Sequence, residues 1–515
     1  MIMVHSLWQN LTFLVLTFHS DPMQQLFKIL IAGTVLLGSC TSKLDVKPIS
    51  DPSVANFYRN QQDFEQAVNA AYNGLSTYPT RHLFLSEIRS DNMYVPGEGG
   101  TYDWNPVNNF TVNSSNTLMS SAWSDCYNTI MRCNSVLDNI SADKVPDETA
   151  RNQFTGEAKF IRALMYFDLV RFFGGVPKID HLVSATAAQS INRASMQEIY
   201  DLIIADLESA AQLLPASYSG GSKGRATLYA AKGILARVYL TRSGPVLLDK
   251  GPVLNSNEYA KARDLLSEII NSGKYVFINN YAQIFSYDNE NNSESVFEVQ
   301  FKSGGTGTGT VIPAEMLPGS YMRANKIPVA SGNDFKYVSN DLISSYPAGD
   351  VRLTFNVIQG FTDENGNFVN QNYFKKFLDP KRYGVDLRDW GINQPVLRYT
   401  DVLLMYAETL LHTGGSQATV DDIVNQVRSR AGLAGITGVT ADTLLEERRR
   451  EFAAEGLRWH DLVRTGKVVT VMNAWMVKED EKKVMKPMKN EFILYPVPQT
   501  EINIKPGLYD QNAGY

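Results

Sequence analysis

The residues with the plainest chemical potential in this 515-residue chain are aromatic, and they sit in three loops rich in Gly, Asn and Pro. SDNMYVPGEGGTYDWNPVNNF (90–110) carries Tyr94, Tyr102 and Trp104 beside Asp91, Asn92 and Asn105. PGSYMR (318–323) adds Tyr321 and Arg323, and KRYGVDLRDWGINQ (381–394) adds Tyr383, Arg388, Asp389 and Trp390. Flat rings cover apolar faces, while amides, carboxylates and guanidinium groups hydrogen-bond a rim of hydroxyls. The mixture therefore suits non-covalent capture of a ring-shaped polyol such as a sugar. The competing role for Trp104 and Trp390 is to pin their own loops onto the scaffold.

Catalytic chemistry is harder to assemble. Glycoside hydrolysis needs two carboxyl groups across one cleft, about 5–5.5 Å apart for retention or 6.5–9.5 Å for inversion. Asp401 and Glu408 stand seven residues apart on a helical run, on the order of 10.5 Å by helical rise. Each is expected to be neutralised by an arginine such as Arg162 or Arg398, because a buried carboxylate must find a partner. The sequence holds no HExxH and no Walker A pattern. His460 beside Trp459 reads as a packed or capping side chain, and Arg448-Arg449-Arg450 as a solvated or salt-bridged face. GGTGTGT (304–310) follows a strand-like run but opens no helix, so it reads as a surface loop, not a phosphate cradle. No catalytic residue, cofactor or metal ligand is assigned.

One residue carries covalent chemistry of another kind. In MQQLFKILIAGTVLLGSC (23–40), Lys28 supplies a positive start, 29–37 a short apolar core, and Leu37-Gly38-Ser39-Cys40 a small-residue cleavage site. That is the pattern of a bacterial lipoprotein signal, with Cys40 as the acylated first residue of the mature chain. Two or more acyl chains hold a protein on a membrane where one is marginal. Residues 1–22 contain no Lys or Arg and read as an over-extended start, and 23–39 as the signal peptide. Beyond Cys40 no apolar run reaches the roughly 18 residues of a membrane helix, so the expectation is an anchored, not a spanning, protein. The net charge of −6 argues against a nucleic-acid partner, since phosphate neutralisation needs a basic face. Cys126 and Cys133 lie two helical turns apart, about 10 Å, beyond the roughly 7 Å reach of a disulfide, and read as small core residues.

Long amphipathic segments must position these loops. SVANFYRNQQDFEQAVNAAYNGLS (53–76) places Phe57, Phe64, Val68, Ala71 and Leu75 on one helical face. QFTGEAKFIRALMYFDLVRFF (153–173) is apolar nearly all round and predicts a central buried helix ended by Gly174, Gly175 and Pro177. Residues 226–275 read as a helical hairpin, with Leu228, Ala231, Leu235 and Val238 beside the small Gly233, then Tyr259, Ala262, Leu266 and Ile269. The pattern is similar to a tetratricopeptide pair without a regular repeat. SVFEVQF (295–301) alternates like a strand, and 354–377 reads as a hairpin around Asp363-Glu364-Asn365-Gly366. In 443–467, Thr443 and Glu446 have capping-box spacing, and Glu446 with Arg450 an i,i+4 pair. The stretches 89–118, 302–334 and 379–395 read as long loops.

Four blocks together resemble the RagB/SusD family of outer-membrane nutrient-binding lipoproteins of Bacteroidetes. They are the lipobox with CTSKLDVKP, GEAKFIRALMYFDLVRFFGGVP (156–177), LRYTDVLLMYAETLL (397–411), and ERRREFAAEGLRWHDLVRTGK (447–467), closed by LYPVPQTEINIKPGLYDQNAGY (494–515). The resemblance implies a mainly α fold in which tetratricopeptide-like helical hairpins support a loop-rich face with a few short β-hairpins. It implies one unit over 40–515, with an N-terminal half of about 41–240 and a C-terminal half of about 270–515. It further implies a non-catalytic protein held in the outer membrane by its lipid and facing outward. Such a protein binds a glycan or oligosaccharide, with a peptide as the other option, and passes it to a SusC-like TonB-dependent transporter. The alternatives are a helical-barrel glycoside hydrolase and a ligand-free structural or adaptor lipoprotein. Because the family's ligand aromatics lie in variable loops, the candidate ligand residues remain Asp91, Asn92, Tyr94, Tyr102, Trp104, Tyr321, Arg323, Asp389 and Trp390.

Overall fold

The computed structural model describes residues 57–97, 102–327 and 335–515. Cys40, the signal segment and the start of the 53–76 run lie outside the described residues. Helix α1, Gln61–Asn73, begins at a cap: the Asn60 side chain accepts from the Gln62 N–H at 2.9 Å, replacing the helix read through 57–60. The chain continues through α2, Tyr78–His82, into a π-helical turn at Leu83–Glu87. Strand β1, Met93–Tyr94, and the one-turn helix α3, Trp104–Asn108, interrupt what the sequence presents as plain loop.

Helices α4, Thr117–Asn139, and α5, Glu148–Phe173, pack together, and α5 is buried on nearly every side. Gly174 ends α5 at φ 77°, where a side chain would be strained. The buried charges of α5 are matched within the protein. Asp168 takes Arg81 at 2.8 Å, Arg171 at 2.6 Å and the His82 ring at 3.0 Å, Arg162 takes Asp206 at 2.7 Å, and Glu157 takes Arg225 at 3.0 Å. Helix α6, Met196–Leu213, lies against α5. Helices α7, Leu228–Ser243, and α8, Tyr259–Asn271, form the expected hairpin. Gly233 is small because a Cβ there would come within 2.3 Å of Leu397.

The strands are short, and each described sheet has two. Strand β2, Ser295–Val299, has the expected position, and the 302–334 loop contains two single-turn helices, α9 at Ile312–Met316 and α10 at Gly319–Ala324. Strand β3, Tyr337–Val338, pairs with β1 in the register Met93↔Val338 and Tyr94↔Tyr337. Strands β4, Val357–Thr362, and β5, Phe368–Phe374, make the predicted antiparallel hairpin. Strand β6, Gln394–Arg398, pairs with β2 from far along the chain.

Five longer helices follow: α11, Tyr399–Thr413; α12, Gln417–Arg430; α13, Ala441–Glu451; α14, Arg458–Arg464; and α15, Val468–Glu479. Helix α13 is capped by Thr440, whose side chain accepts from the Thr443 N–H at 3.2 Å; the capping box read at Thr443 and Glu446 starts too late. Arg450 pairs with Glu447 at 3.2 Å, not with Glu446.

A buried ionic frame ties α11 to α13 and α14. Asp401 bridges Arg448 at 2.6 Å and Arg237 at 2.5 Å, Glu408 takes Arg464 at 2.8 Å, and Glu451 takes Arg430 at 2.7 Å and Arg398 at 3.1 Å. The partners of Asp401 and Glu408 are therefore Arg448, Arg237 and Arg464, and not the Arg162 and Arg398 expected from sequence. Burial alone would raise the Asp401 carboxyl, but Arg448 and Arg237 hold it down to about 2, and Arg430 and Arg398 do the same for Glu451. Among the described residues no helix is long and apolar enough to cross a membrane. Cys126 and Cys133 are buried and unbonded.

Candidate functional site

The π-helical turn is the unexpected element of the site. Widening the helix at Leu83–Glu87 presents Phe84 beside the loop that carries Tyr102 and Trp104, and such turns recur at functional sites. Trp104 stacks on Tyr102 at 4.5 Å between centroids and 8° between planes, and on Phe84 at 5.8 Å and 12°. Helix α3 starts at Trp104, and the preceding Asp103 fastens the loop to the start of α4, its carbonyl accepting from Asn116 Nδ2 at 2.8 Å. The β1–β3 pairing brings Lys336 to the same place, with Nζ 4.9 Å from the Trp104 centroid and 5.5 Å from that of Phe84. Lys336 is also paired with Glu315 of α9 at 2.6 Å. Burial pulls the ammonium below its usual value while Glu315 opposes the shift.

The roots of this loop are locked. Asp91 is fully buried and accepts two hydrogen bonds from Arg458, each 2.8 Å, with Arg449 at 3.2 Å. Burial would raise it, yet Arg449 and Arg458 hold it at about 2. Asn92, also fully buried, donates to Glu87 at 2.9 Å and accepts from Arg449 at 3.0 Å. Ser339 joins the same root through Asp91 and Asn92 carbonyls at 2.6 and 3.0 Å. Asp91 and Asn92, proposed from sequence to face a ligand, are instead internal fasteners whose hydrogen-bonding capacity is spent on the protein.

Trp390 is likewise fully enclosed, in a cluster with Leu317, Met322, Ile358 and Tyr373, so it anchors its loop and presents no face. Asp389 accepts from the N–H groups of Gly304, Gly305 and Val385 at 2.9–3.1 Å. These bonds bring its carboxyl below the ordinary range against the opposing effect of burial. It thereby joins the 304–310 loop to the 381–394 loop and is a fastener too. Tyr383 and Arg388 lie on the outside of that loop.

Tyr94 ends β1 and turns its ring toward Trp475 of α15 at 6.5 Å, with its hydroxyl 3.5 Å from Asp480. Burial first, and Asp480 second, push its phenol up to about 12. Tyr321 is half-buried and meets Phe361 edge-on at 5.3 Å, and Arg323 pairs with Glu364 of the β4–β5 turn. The structure thus brings Tyr102 and Trp104 together, and leaves Tyr94, Tyr321 and Arg323 in other contacts. Phe84, Lys336 and Glu315 were missed. Phe84 sits in LFLSE, where nothing marks a π turn, and Lys336 is joined to the site only by the two-residue β1–β3 pairing. The nearest sequence signal is Lys336-Tyr337-Val338, a short β-prone run next to an isolated charge.

Two stretches of the chain match models of one protein group: residues 44–240 match a model described as starch-binding, associating with the outer membrane, and residues 362–515 match the SusD family model. The chain is 29% identical to the SusD-like protein P38 of Formosa agariphila, over 87% of this chain and 92% of that one. A laminarin binding SusD-like protein shares the fold with a TM-score of 0.73 and 27% identity, covering 89% of this chain and all of that one. Surface glycan-binding protein A from Bacteroides fluxus shares the fold at a TM-score of 0.75 and 24% identity, with the same coverage. The mainly helical fold expected from sequence is therefore the SusD-like one, and the chain belongs to the SusD/RagB family, whose glycan-binding members are non-catalytic.

Proposed function

We propose that this protein captures a glycan on the Tyr102–Trp104 stack and hands it to a SusC-like TonB-dependent transporter, while lipid on Cys40 keeps it in the outer membrane. The carrying observation is the parallel arrangement of Tyr102 and Trp104, in a loop rooted by buried ion pairs, with Phe84 of the π-helical turn. Preorganised rings stack on the C–H faces of a sugar without first having to be ordered, which cuts the entropic cost of binding. The description of one fold-sharing protein as laminarin binding supports a glucan among the candidate ligands. The carboxylates that a hydrolase would need, Asp401 and Glu408, are occupied by Arg448, Arg237 and Arg464.

The test is calorimetric titration of the purified protein with oligosaccharides found on a glycan array, beside a thermal melt. Trp104→Ala should weaken binding by roughly 1–2 kcal/mol, as truncation of a stacking anchor does. Unchanged affinity in a folded Trp104→Ala variant would remove the stack from the binding surface.

A further inference from the structure

The ion pair beneath the stack is asymmetric. Lys336 has a side chain only 1% exposed, whereas that of Glu315 is 27% exposed. The cation is spent inward, under Trp104 and Phe84, and the carboxylate is the end of the pair that meets solvent. Next to the rings, Asp103 is exposed and adds a second acid. Like charges at a protein surface repel, and the Lys336 ammonium that could offset an incoming anion is turned inward and already paired with Glu315.

We infer that the stack selects neutral oligosaccharides and discriminates against those bearing uronate carboxylates or sulfate esters, with Glu315 as the determinant. The inference rests on the reading of Tyr102 and Trp104 as the glycan surface. An exposed carboxylate is an acceptor for sugar hydroxyls, which neutral glycans offer in abundance. The same carboxylate repels an anionic substituent brought over Trp104. Were the pair reversed, with the ammonium outward, the site would favour acidic sugars.

The experiment titrates the full-length protein in detergent with two sets of probes at low ionic strength. The neutral set is laminarihexaose, maltohexaose, cellohexaose and xylohexaose, and the anionic set is hexagalacturonate, hexaguluronate and a sulfated hexasaccharide. At least one neutral probe should bind, with every anionic probe at least tenfold weaker. Glu315→Gln, which keeps the shape and removes the exposed carboxylate charge, should narrow that gap at least threefold, and 0.5 M NaCl should narrow it in the wild type because exposed charges are screened. An anionic probe bound as tightly as the best neutral one overturns the inference while leaving the stack as the glycan surface. A gap unchanged by Glu315→Gln also overturns it. If Trp104→Ala leaves the affinity of the bound probe intact, it is the glycan-surface reading that fails.

Discussion

Replacing Asp401 by Asn should destabilise the protein by about 3–5 kcal/mol, because the substitution leaves two guanidinium groups buried without their shared counter-charge. Asp401 is 1% exposed and sits between Arg448 at 2.6 Å and Arg237 at 2.5 Å, so water cannot replace the lost charge without opening the junction of α7, α11 and α13. Part of this cost titrates. The carboxyl falls from an ordinary value near 3.8 to about 2 in the folded protein, and each unit is worth about 1.4 kcal/mol, giving a linkage contribution of about 2.5 kcal/mol. A depressed folded-state pKa stabilises above the unfolded value and loses that stabilisation as the pH falls through the folded one. The stability gap between wild type and Asp401→Asn should therefore be flat above pH 5 and shrink between about pH 4 and pH 2. Urea titrations followed by tryptophan fluorescence, repeated at half-unit intervals of pH, measure it. A gap below 1 kcal/mol at pH 7, or one that does not narrow with acid, would refute the view that this carboxylate is a structural charge.

Two further outcomes follow from the placement of single residues. Trp390→Ala should lower the unfolding free energy by about 3–5 kcal/mol, the usual cost of emptying a fully buried indole site; a melt indistinguishable from wild type would return that residue to the ligand-facing surface. Cys40→Ala should leave a folded protein that no longer sediments with outer membranes, and its retention there after a high-salt wash would show an anchor other than the lipid.

Elements governed by local pattern were readable from sequence. The apolar run ending in Gly174 marks α5, the Asp363–Gly366 turn marks the β4–β5 hairpin, and the Ala- and Leu-rich run around Gly233 marks α7. What could not be read depends on partners distant along the chain. Asp91 and Asn92 have the composition of a polar binding loop, and only their contacts with Arg458 and Arg449, more than 350 positions later, reveal them as interior groups. Trp390 likewise resembles an exposed ring until Leu317 and Tyr373 close over it. The same non-locality explains the misassigned partners of Asp401 and Glu408, since composition shows that arginines are available but not which of them the fold brings near. The juxtaposition of Tyr102 and Trp104 was legible because two aromatics and little else of apolar character share a short Gly- and Asn-rich stretch.

The fastening of Asp91 and Asn92 by Arg449 and Arg458 bears on how such a protein can change over generations. The N-terminal root of the Tyr102–Trp104 loop is gripped by side chains from α13 and α14, so the grip does not depend on which residues lie at the loop's tip. Substitutions between Val95 and Trp104 can then alter the shape or charge offered to a sugar without loosening the helical frame, because the stabilising pairs sit on the other side of the grip. Inheritance is in effect divided: the arginines of α13 and α14 hold the frame, while the residues at the loop's tip can change without disturbing those pairs.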